Sequence, residues 1–240
     1  MRARTHALLF LVASAALAGE WPQWRGPDRT GVSSETGLLQ EWPKGGPKLL
    51  FKATGLGGGY ATVAVAGSRI VTMGSKGLEG SGKGGARGAD ESVICLDIKD
   101  GKELWATKVG KTAGGYAAPR STPTVDGSRV YALSSNGVLA CLTLDKGGIV
   151  WKKDLKADYG GSTGSWAYAE SPLIDGDRVV VTPGGDDAAL VCLEKASGKE
   201  VWKSRIAGLK GKEGGKGKGK GKGKGKGGGG GYSTAATPRR

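Results

Sequence analysis

The sequence predicts an all-β chain that forms part of a β-propeller, with about three four-stranded antiparallel blades and an N-terminal closing strand. Two repeated segments predict this architecture, one running from Cys to Trp and one carrying a tight hairpin turn. Outside the first 18 residues no stretch shows a sustained helical period. Short strands in a repeat of roughly 40–50 residues, joined by glycine-bearing turns, are typical of propeller blades.

The N-terminus predicts a secretory signal peptide over residues 1–18. Arg2 and Arg4 form a basic start, residues 7–16 are apolar, and Ala16-Leu17-Ala18 fits a small-x-small cleavage pattern. A buried N-terminal helix is the less favoured alternative. We therefore expect an exported protein of the periplasm or the extracellular space. No later segment is apolar enough to predict a transmembrane helix.

Cleavage after Ala18 would remove His6, the only histidine of the chain. A mature chain without histidine excludes Ser-His-Asp and Cys-His catalysis, histidine-ligated zinc and histidine acid–base chemistry. The sequence therefore favours a non-enzymatic protein, with no catalytic, cofactor-binding or metal-binding residue to nominate.

The net charge of +14 belongs mostly to a low-complexity tail. Residues 210–240 hold eight Lys and two Arg against one Glu, whereas residues 19–209 hold 24 basic and 21 acidic side chains. The Gly-Lys tract over 210–231 predicts disorder, because glycine loses much entropy on ordering and the lysines repel one another. Salt-sensitive polyanion binding is one interpretation of this tract. A solvated linker or a slipped repeat is favoured, so no specific nucleic-acid partner is expected.

The first repeated segment has Gly six residues after Cys and Trp ten residues after Cys, at 95–105, 141–151 and 192–202. Upstream of each lies a Gly-bearing hairpin signal between β-branched residues, at 65–70, 125–130 and 174–179. In the first blade these signals predict strands around 61–65, 69–73, 92–97 and 102–108.

The repeats divide the chain beyond residue 18 into successive regions. Residues 19–58 form an N-terminal segment, and the propeller region covers 59–209, with blades at 59–110, 111–156 and 160–207. Residues 232–240 are interpreted as the start of an incomplete blade, because Tyr232-Ser233-Thr234 is similar to Tyr60-Ala61-Thr62.

Three cysteines occupy the same third-strand position of successive blades, Cys95, Cys141 and Cys192. Equivalent positions on neighbouring blades are too far apart for a disulfide, whose Cα atoms lie within about 7 Å of each other. We therefore expect three buried free thiols.

The Cys-to-Trp segments resemble the tryptophan-docking motif of pyrroloquinoline-quinone (PQQ) propeller repeats, Ala-x-Asp-x-x-x-Gly-x-x-x-Trp. The positions that match are Asp97, Gly101, Trp105, Gly147, Trp151, Gly198 and Trp202. The chain departs from the motif at Cys95, Thr143 and Glu194. The resemblance implies that each Trp packs between adjacent blades while the acidic residue and Gly shape a turn. It says little about activity.

The opening Trp21-Pro22-Gln23-Trp24-Arg25-Gly26-Pro27 resembles the start of exported bacterial PQQ-repeat proteins. The propeller is also similar to that of outer-membrane assembly factors of the BamB type, although the chain lacks their lipoprotein Cys. These resemblances imply a binding or scaffold protein of the cell envelope that holds a protein partner through blade loops.

Lys48-Leu49-Leu50-Phe51 resembles the end of a blade, with Phe51 at the docking-Trp position. This indicates a strand that closes the last blade of a ring. Because the family forms rings of seven or eight blades, we expect the chain to be a truncated or frame-disrupted version of a longer protein. A genuine short product is the less favoured alternative, and self-association through the open blade edges is the least favoured.

The resemblance also implies a second function, that of a fragment or relative of a PQQ-dependent quinoprotein dehydrogenase, with PQQ and Ca²⁺ as cofactors. Two segments bear on it. Asp186-Asp187 is interpreted as a solvated turn rather than a Ca²⁺ site. Residues 77–84 come close to a P-loop but lack its final Ser/Thr, so a Gly/Lys loop insertion is favoured.

One set of residues is a candidate recognition surface, because aromatic and charged side chains precede the first strand of each blade. The set comprises Tyr60, Tyr116, Arg120, Trp166, Tyr168 and Glu170. The alternative is that these side chains cap the blade tops.

Overall fold

The computed structural model describes residues 19–76, 88–114 and 118–206. The predicted signal peptide, the P-loop-like residues 77–84, Tyr116, the Gly-Lys tract and the predicted incomplete blade lie outside the described residues. In the described part of the chain, no helix has both the length and the apolar character needed to cross a membrane.

The described residues form three four-stranded antiparallel sheets, in each of which the strands follow chain order. Blade one comprises β1 (Ala64–Ala66), β2 (Arg69–Gly74), β3 (Asp90–Asp97) and β4 (Glu103–Lys111). Blade two comprises β5 (Thr124–Asp126), β6 (Arg129–Leu133), β7 (Val138–Thr143) and β8 (Ile149–Asp154). Blade three comprises β9 (Leu173–Asp175), β10 (Arg178–Val181), β11 (Leu190–Glu194) and β12 (Glu200–Ser204). One short helix, α1 (Leu155–Tyr159), follows β8. The predicted fold class is confirmed.

The first two strands of each blade are joined by a two-residue turn that begins with glycine. Gly67, Gly127 and Gly176 share a φ of +54°. Tight hairpins require positive φ in the turn, which glycine adopts without a steric penalty. The three hairpins therefore keep the same register, which pairs Ala66 with Arg69, Asp126 with Arg129 and Asp175 with Arg178.

The core lies between blades rather than within one. One cluster of buried side chains joins blades one and two through residues such as Val71, Val93, Val130 and Leu142. A second cluster joins blades two and three. The three cysteines are buried and free, as the sequence predicts, and burial raises the pKa of the Cys95 thiol to about 11. They are small apolar parts of this core.

Trp105 and Trp151 each lie against a glycine of the next blade, in the turn between its third and fourth strands. A Cβ atom added at Gly147 would lie 2.6 Å from Cδ2 of Trp105, and one added at Gly198 would lie 2.7 Å from Cδ2 of Trp151. Trp105 Nε1 donates to the Leu144 carbonyl and Trp151 Nε1 donates to the Lys195 carbonyl, both at 3.0 Å. The same contact therefore joins blade one to blade two and blade two to blade three.

Phe51 makes this contact on blade one, where a Cβ atom added at Gly101 would lie 2.5 Å from its Cδ2. Residues 48–51 have no strand assignment in the structure. That they complete a further blade stays a prediction.

The beginnings of the first strands are tied together by hydroxyl groups. The Thr62 amide donates to Thr122 Oγ1 at 3.2 Å, and the Thr122 amide donates to Ser171 Oγ at 3.0 Å. Thr62, Thr122 and Ser171 occupy equivalent positions, so blade two and blade three each accept a hydrogen bond from the blade before them. We call this set the hydroxyl ladder.

The N-terminal segment covers the free edges of two first strands. Trp21 exchanges both backbone hydrogen bonds with Val65 in β1, at 2.9 and 2.8 Å, and the Pro22 carbonyl accepts from the Val125 amide in β5 at 2.7 Å. Farther along, Arg29 Nη2 donates to the Pro172 carbonyl of blade three at 3.2 Å. The first strands of successive blades contact one another, so they are the inner strands of the array, and this segment lies on their axial side.

Gly147→Ala should lower the free energy of unfolding by about 1–3 kcal/mol more than Gly127→Ala. Both glycines have positive φ, so both substitutions strain the backbone. Only the Gly147 side chain would meet the Trp105 ring, because nothing lies within 4 Å of a Cβ atom at Gly127. Chemical denaturation of the two variants measures the difference, and equal losses would show that ring docking does not limit stability.

Candidate functional site

The candidate site lies on the entry face, which is the end of the blades where β1, β5 and β9 begin. Residues just before these strands come from three different blades but lie close together. The Tyr60 amide donates to the Pro119 carbonyl at 2.8 Å, which ties the approach to blade one to the approach to blade two. The hydroxyl ladder joins the same segments slightly farther along the chain, at Thr62 and Thr122.

The Arg120 guanidinium group lies over two aromatic rings on this face. Its Cζ atom is 4.6 Å from the centroid of the Tyr60 ring and 5.3 Å from that of the Trp166 ring. Both distances are within the range of cation–π attraction. Tyr60 is 49% exposed and Trp166 is 58% exposed, so large aromatic surfaces face solvent. We call Tyr60, Arg120 and Trp166 the entry-face stack, to which each of the three blades contributes one residue.

A strained turn presents Trp166. Ala167 has a φ of +64°, in the left-handed region that side chains rarely adopt. Its amide donates to the Gly164 carbonyl at 3.1 Å, and the next amide, of Tyr168, donates to the Ser135 carbonyl at 3.2 Å. Backbone strain held in this way by surrounding contacts is common at functional sites.

Two other residues of the predicted surface pack inside it. Tyr168 is buried, and its hydroxyl donates to the Pro183 carbonyl at 2.8 Å. Glu170 is partly buried and accepts from the Thr182 amide at 2.5 Å, while burial raises the pKa of its carboxyl group. The structure therefore brings Tyr60, Arg120 and Trp166 together at the surface and places Tyr168 and Glu170 in supporting positions.

Sequence reasoning missed Glu91, a fully buried carboxylate at the start of β3. Glu91 Oε2 accepts from the Ser135 amide of blade two at 2.7 Å, and its Oε1 accepts from the Ser135 hydroxyl. Burial raises the pKa of Glu91 to about 7, against the opposing effects of the Ser135 hydrogen bonds and the Arg120 charge. A signal existed in the sequence, because the two-residue spacing of Glu91, Val93 and Cys95 places Glu91 on the same strand face as two apolar residues.

The Asp186-Asp187 pair is not part of the stack. Asp186 and Asp187 are exposed in a bend between β10 and β11, where Asp187 forms an ion pair with Arg205. Within residues 19–76, 88–114 and 118–206, no group of three or more His, Cys, Asp or Glu side chains could hold a metal ion. The entry-face stack offers two exposed aromatic rings and one guanidinium cation as a binding surface.

Comparison with known proteins supports a family for the repeats. The family model described as "Outer membrane protein assembly factor BamB" matches residues 135–212. BamB of Salmonella typhimurium is 28% identical over 124 residues, which is 50% of this chain and 28% of that protein. BamB of Yersinia pestis is 27% identical over 108 residues, covering 44% of this chain and 27% of that protein. The chain therefore spans little more than a quarter of the curated relatives that it matches.

Solved structures resemble the blades more distantly. BamB from Moraxella catarrhalis matches with a TM-score of 0.44 and 20% identity, over 65% of this chain and 40% of that one. Quinohemoprotein alcohol dehydrogenase from Comamonas testosteroni matches with a TM-score of 0.49 and 16% identity, over 79% of this chain and 28% of that one.

The free energy of unfolding should fall as the pH rises from about 4.5 to about 7, by up to about 3 kcal/mol from Glu91. A carboxyl group whose pKa is raised by folding stabilises the native state below its unfolded pKa and loses that contribution as it ionises. Glu91→Gln should remove this part of the pH dependence.

Denaturation curves between pH 4 and pH 8 check this expectation, with Glu103→Gln as the control. Glu103 is an exposed carboxylate on the neighbouring strand, so Glu103→Gln makes the same chemical change outside the core. Glu170 contributes a pH dependence of the same sign in the wild type and in both variants. The effect of Glu91 is therefore the difference between the wild-type and Glu91→Gln curves. Parallel curves for the wild type and Glu91→Gln would contradict the role given to burial.

Proposed function

The chain carries repeats of the PQQ-like β-propeller family, and from that premise we propose that it is a non-enzymatic binding or scaffold protein of the cell envelope. It holds a polypeptide partner against its entry face. The observation that carries the proposal is the entry-face stack, in which three successive blades place Tyr60, Arg120 and Trp166 side by side.

The chemistry of the stack suits a protein partner. Tyr, Trp and Arg are the residue types that dominate binding energy in protein interfaces. A half-exposed aromatic ring gains free energy when a partner covers it, and stiff aromatic side chains lose little conformational entropy on binding. A guanidinium group in contact with two rings is also restricted in orientation, which lowers the cost of ordering it in a complex.

The support beneath the stack favours a fixed surface. The strained turn holds Trp166, the hydroxyl ladder holds the strand beginnings, and Glu91 with Ser135 joins blade one to blade two. A surface held by several blades presents the same arrangement before and after binding. Such pre-organisation is a property of a scaffold.

The export and envelope location are part of the proposal. They are supported by the sequence of residues 1–18 and by the similarity to outer membrane protein assembly factors. A partner within an outer-membrane assembly process is the corresponding expectation for this chain.

The residues present do not fit the quinoprotein alternative. The cofactor of such a dehydrogenase lies on the propeller axis, whereas the axial edges of β1 and β5 are hydrogen-bonded to Trp21 and Pro22 of the chain itself. The acidic pair Asp186 and Asp187 is exposed in the bend between β10 and β11, where Asp187 is paired with Arg205. No step is therefore derived through PQQ or Ca²⁺.

Trp166→Ala should weaken partner binding by about tenfold or more, because an exposed aromatic anchor commonly contributes upward of 1–2 kcal/mol to an interface. Trp42→Ala is the matched control, since Trp42 is 72% exposed on the N-terminal segment, outside the entry-face stack. A photo-crosslinking amino acid at position 166 or 42 in the exported protein first identifies the partner. The affinity of the purified partner is then measured for the two alanine variants.

Equal affinities for the two variants would contradict the proposal, as would crosslinks from position 42 alone. Arg120→Lys is a useful third variant, because lysine keeps the charge but lacks the planar group that stacks between rings. It should fall between the wild type and Trp166→Ala.

Addition of PQQ with Ca²⁺ should leave the melting temperature unchanged. A ligand that binds the native state raises that temperature through mass action, so the shift measures binding without assuming turnover. Differential scanning calorimetry with saturating cofactor, and with Ca²⁺ alone as the control, makes the measurement. A saturable rise with PQQ, accompanied by dye-linked alcohol oxidation, would reverse the choice between the two functions.

A further inference from the structure

A groove opens on the turn face, which is the end of the blades that bears the two-residue hairpin turns. It lies between blades one and two, has a volume of about 480 Å³, and is partly roofed by the N-terminal segment. Its apolar wall includes Ala66, Val125 and Leu144, and its charged lining residues are Glu20, Arg69 and Asp145. This face is opposite to the entry-face stack, so a ligand site in the groove is independent of the proposed function.

The neighbouring junction, between blades two and three, provides an internal template. Leu144 and Lys195 occupy the same place in their blades, because both make the same two backbone bonds. The Leu144 amide donates to the Ser128 carbonyl and the Lys195 amide to the Asp177 carbonyl, each at 2.9 Å. The Leu144 and Lys195 carbonyls each accept from the docking Trp of the preceding blade.

In the template junction a lysine side chain occupies the equivalent place. Lys195 Nζ lies 2.8 Å from Asp126 of blade two and 3.9 Å from Asp177 of blade three. Its side chain is only 27% exposed, so its aliphatic part is largely covered by protein. The junction therefore contains one buried lysine stem and two carboxylates for its ammonium group.

Three substitutions remove that lysine and its partners from the junction of blades one and two. Leu144 replaces Lys195, Ala66 replaces Asp126 and Ser128 replaces Asp177. Shorter or uncharged side chains leave the groove open. Two other carboxylates line the open groove. Glu20 belongs to the N-terminal segment, and Asp145 directly follows Leu144 in the chain.

The charges of the two junctions correspond. The template has two carboxylates and Arg129, which is paired in register with Asp126. The open groove has two carboxylates and Arg69, the equivalent of Arg129. The template binds a lysine in the presence of its arginine, so Arg69 does not exclude a cation from the open groove.

We propose that the groove between blades one and two is a binding site for a lysine side chain of a polypeptide. Pro22, Ala66, Val125 and Leu144 contact the aliphatic part of that lysine, and Glu20 and Asp145 pair with its ammonium group. A lysine from another segment therefore fills the place that Lys195 fills in the junction between blades two and three.

The test uses the full chain and a fluorescent acetylated peptide of four Gly-Lys repeats, with the Gly-Gln peptide as the control ligand. Fluorescence anisotropy should show saturable binding of the Gly-Lys peptide only. Glu20→Gln and Asp145→Asn should each weaken it by roughly two- to fivefold, as expected for a partly exposed ion pair.

The template also supplies two reciprocal variants. Leu144→Lys combined with Ala66→Asp transplants the internal ion pair and should abolish peptide binding by filling the groove. Lys195→Leu should open the second junction, where Asp126 and Asp177 remain, and raise the stoichiometry from one peptide to two. A gain of binding cannot result from unfolding, so this variant keeps the test decisive if the double variant folds poorly.

A further arm distinguishes two sources of lysine. In a chain whose eight tract lysines, between residues 210 and 226, are replaced by Gln, unchanged affinity indicates a site for other polypeptides. Tighter binding in that chain indicates that the tract competes for the groove, which supports the site with a different natural occupant. Absence of binding in both chains, or binding that persists in the Leu144→Lys, Ala66→Asp variant, would overturn the proposal.

Discussion

The contact between a docking ring and the turn glycine of the next blade is the interaction on which the rest of the structure depends. A single four-stranded sheet cannot bury both of its faces, so each blade is stable only against its neighbours. Trp105 and Trp151 join their blades to the next by the same ring contact and the same hydrogen bond from Nε1. Because that contact is repeated, successive blades keep one relative arrangement, and the residues before their first strands converge on the entry face.

Much of the fold could be predicted because its determinants are local and repeated. The Gly-bearing turns specify hairpin register through a single backbone angle, and the Cys-to-Trp spacing marks the third and fourth strands. Phe51 could be placed by analogy with the docking tryptophans, and the structure puts its ring against Gly101. The three cysteines could be predicted to be buried and free because they occupy equivalent positions in separate blades.

The site was harder to predict, because it depends on which side chains of different blades meet. Sequence position alone could not separate Trp166, which is exposed, from Tyr168, which turns inward two residues later after a left-handed Ala167. Glu91 carries a charge that suggests solvent exposure, and its burial depends on Ser135 from another blade. The axial position of Trp21 and Pro22 is likewise a long-range pairing that no local pattern encodes.

The hydroxyl ladder gives the array a direction. At each rung the amide belongs to one repeat and the accepting oxygen to the repeat that comes next, so every repeat brings both halves of the connection. A copy of one repeat inserted by gene duplication between two others would arrive with an acceptor for its predecessor and a donor for its successor. Propeller genes built on this rule can change their number of repeats without leaving an inner-strand amide unsatisfied. A newly duplicated repeat therefore needs no further mutation to form the hydrogen bonds of the ladder.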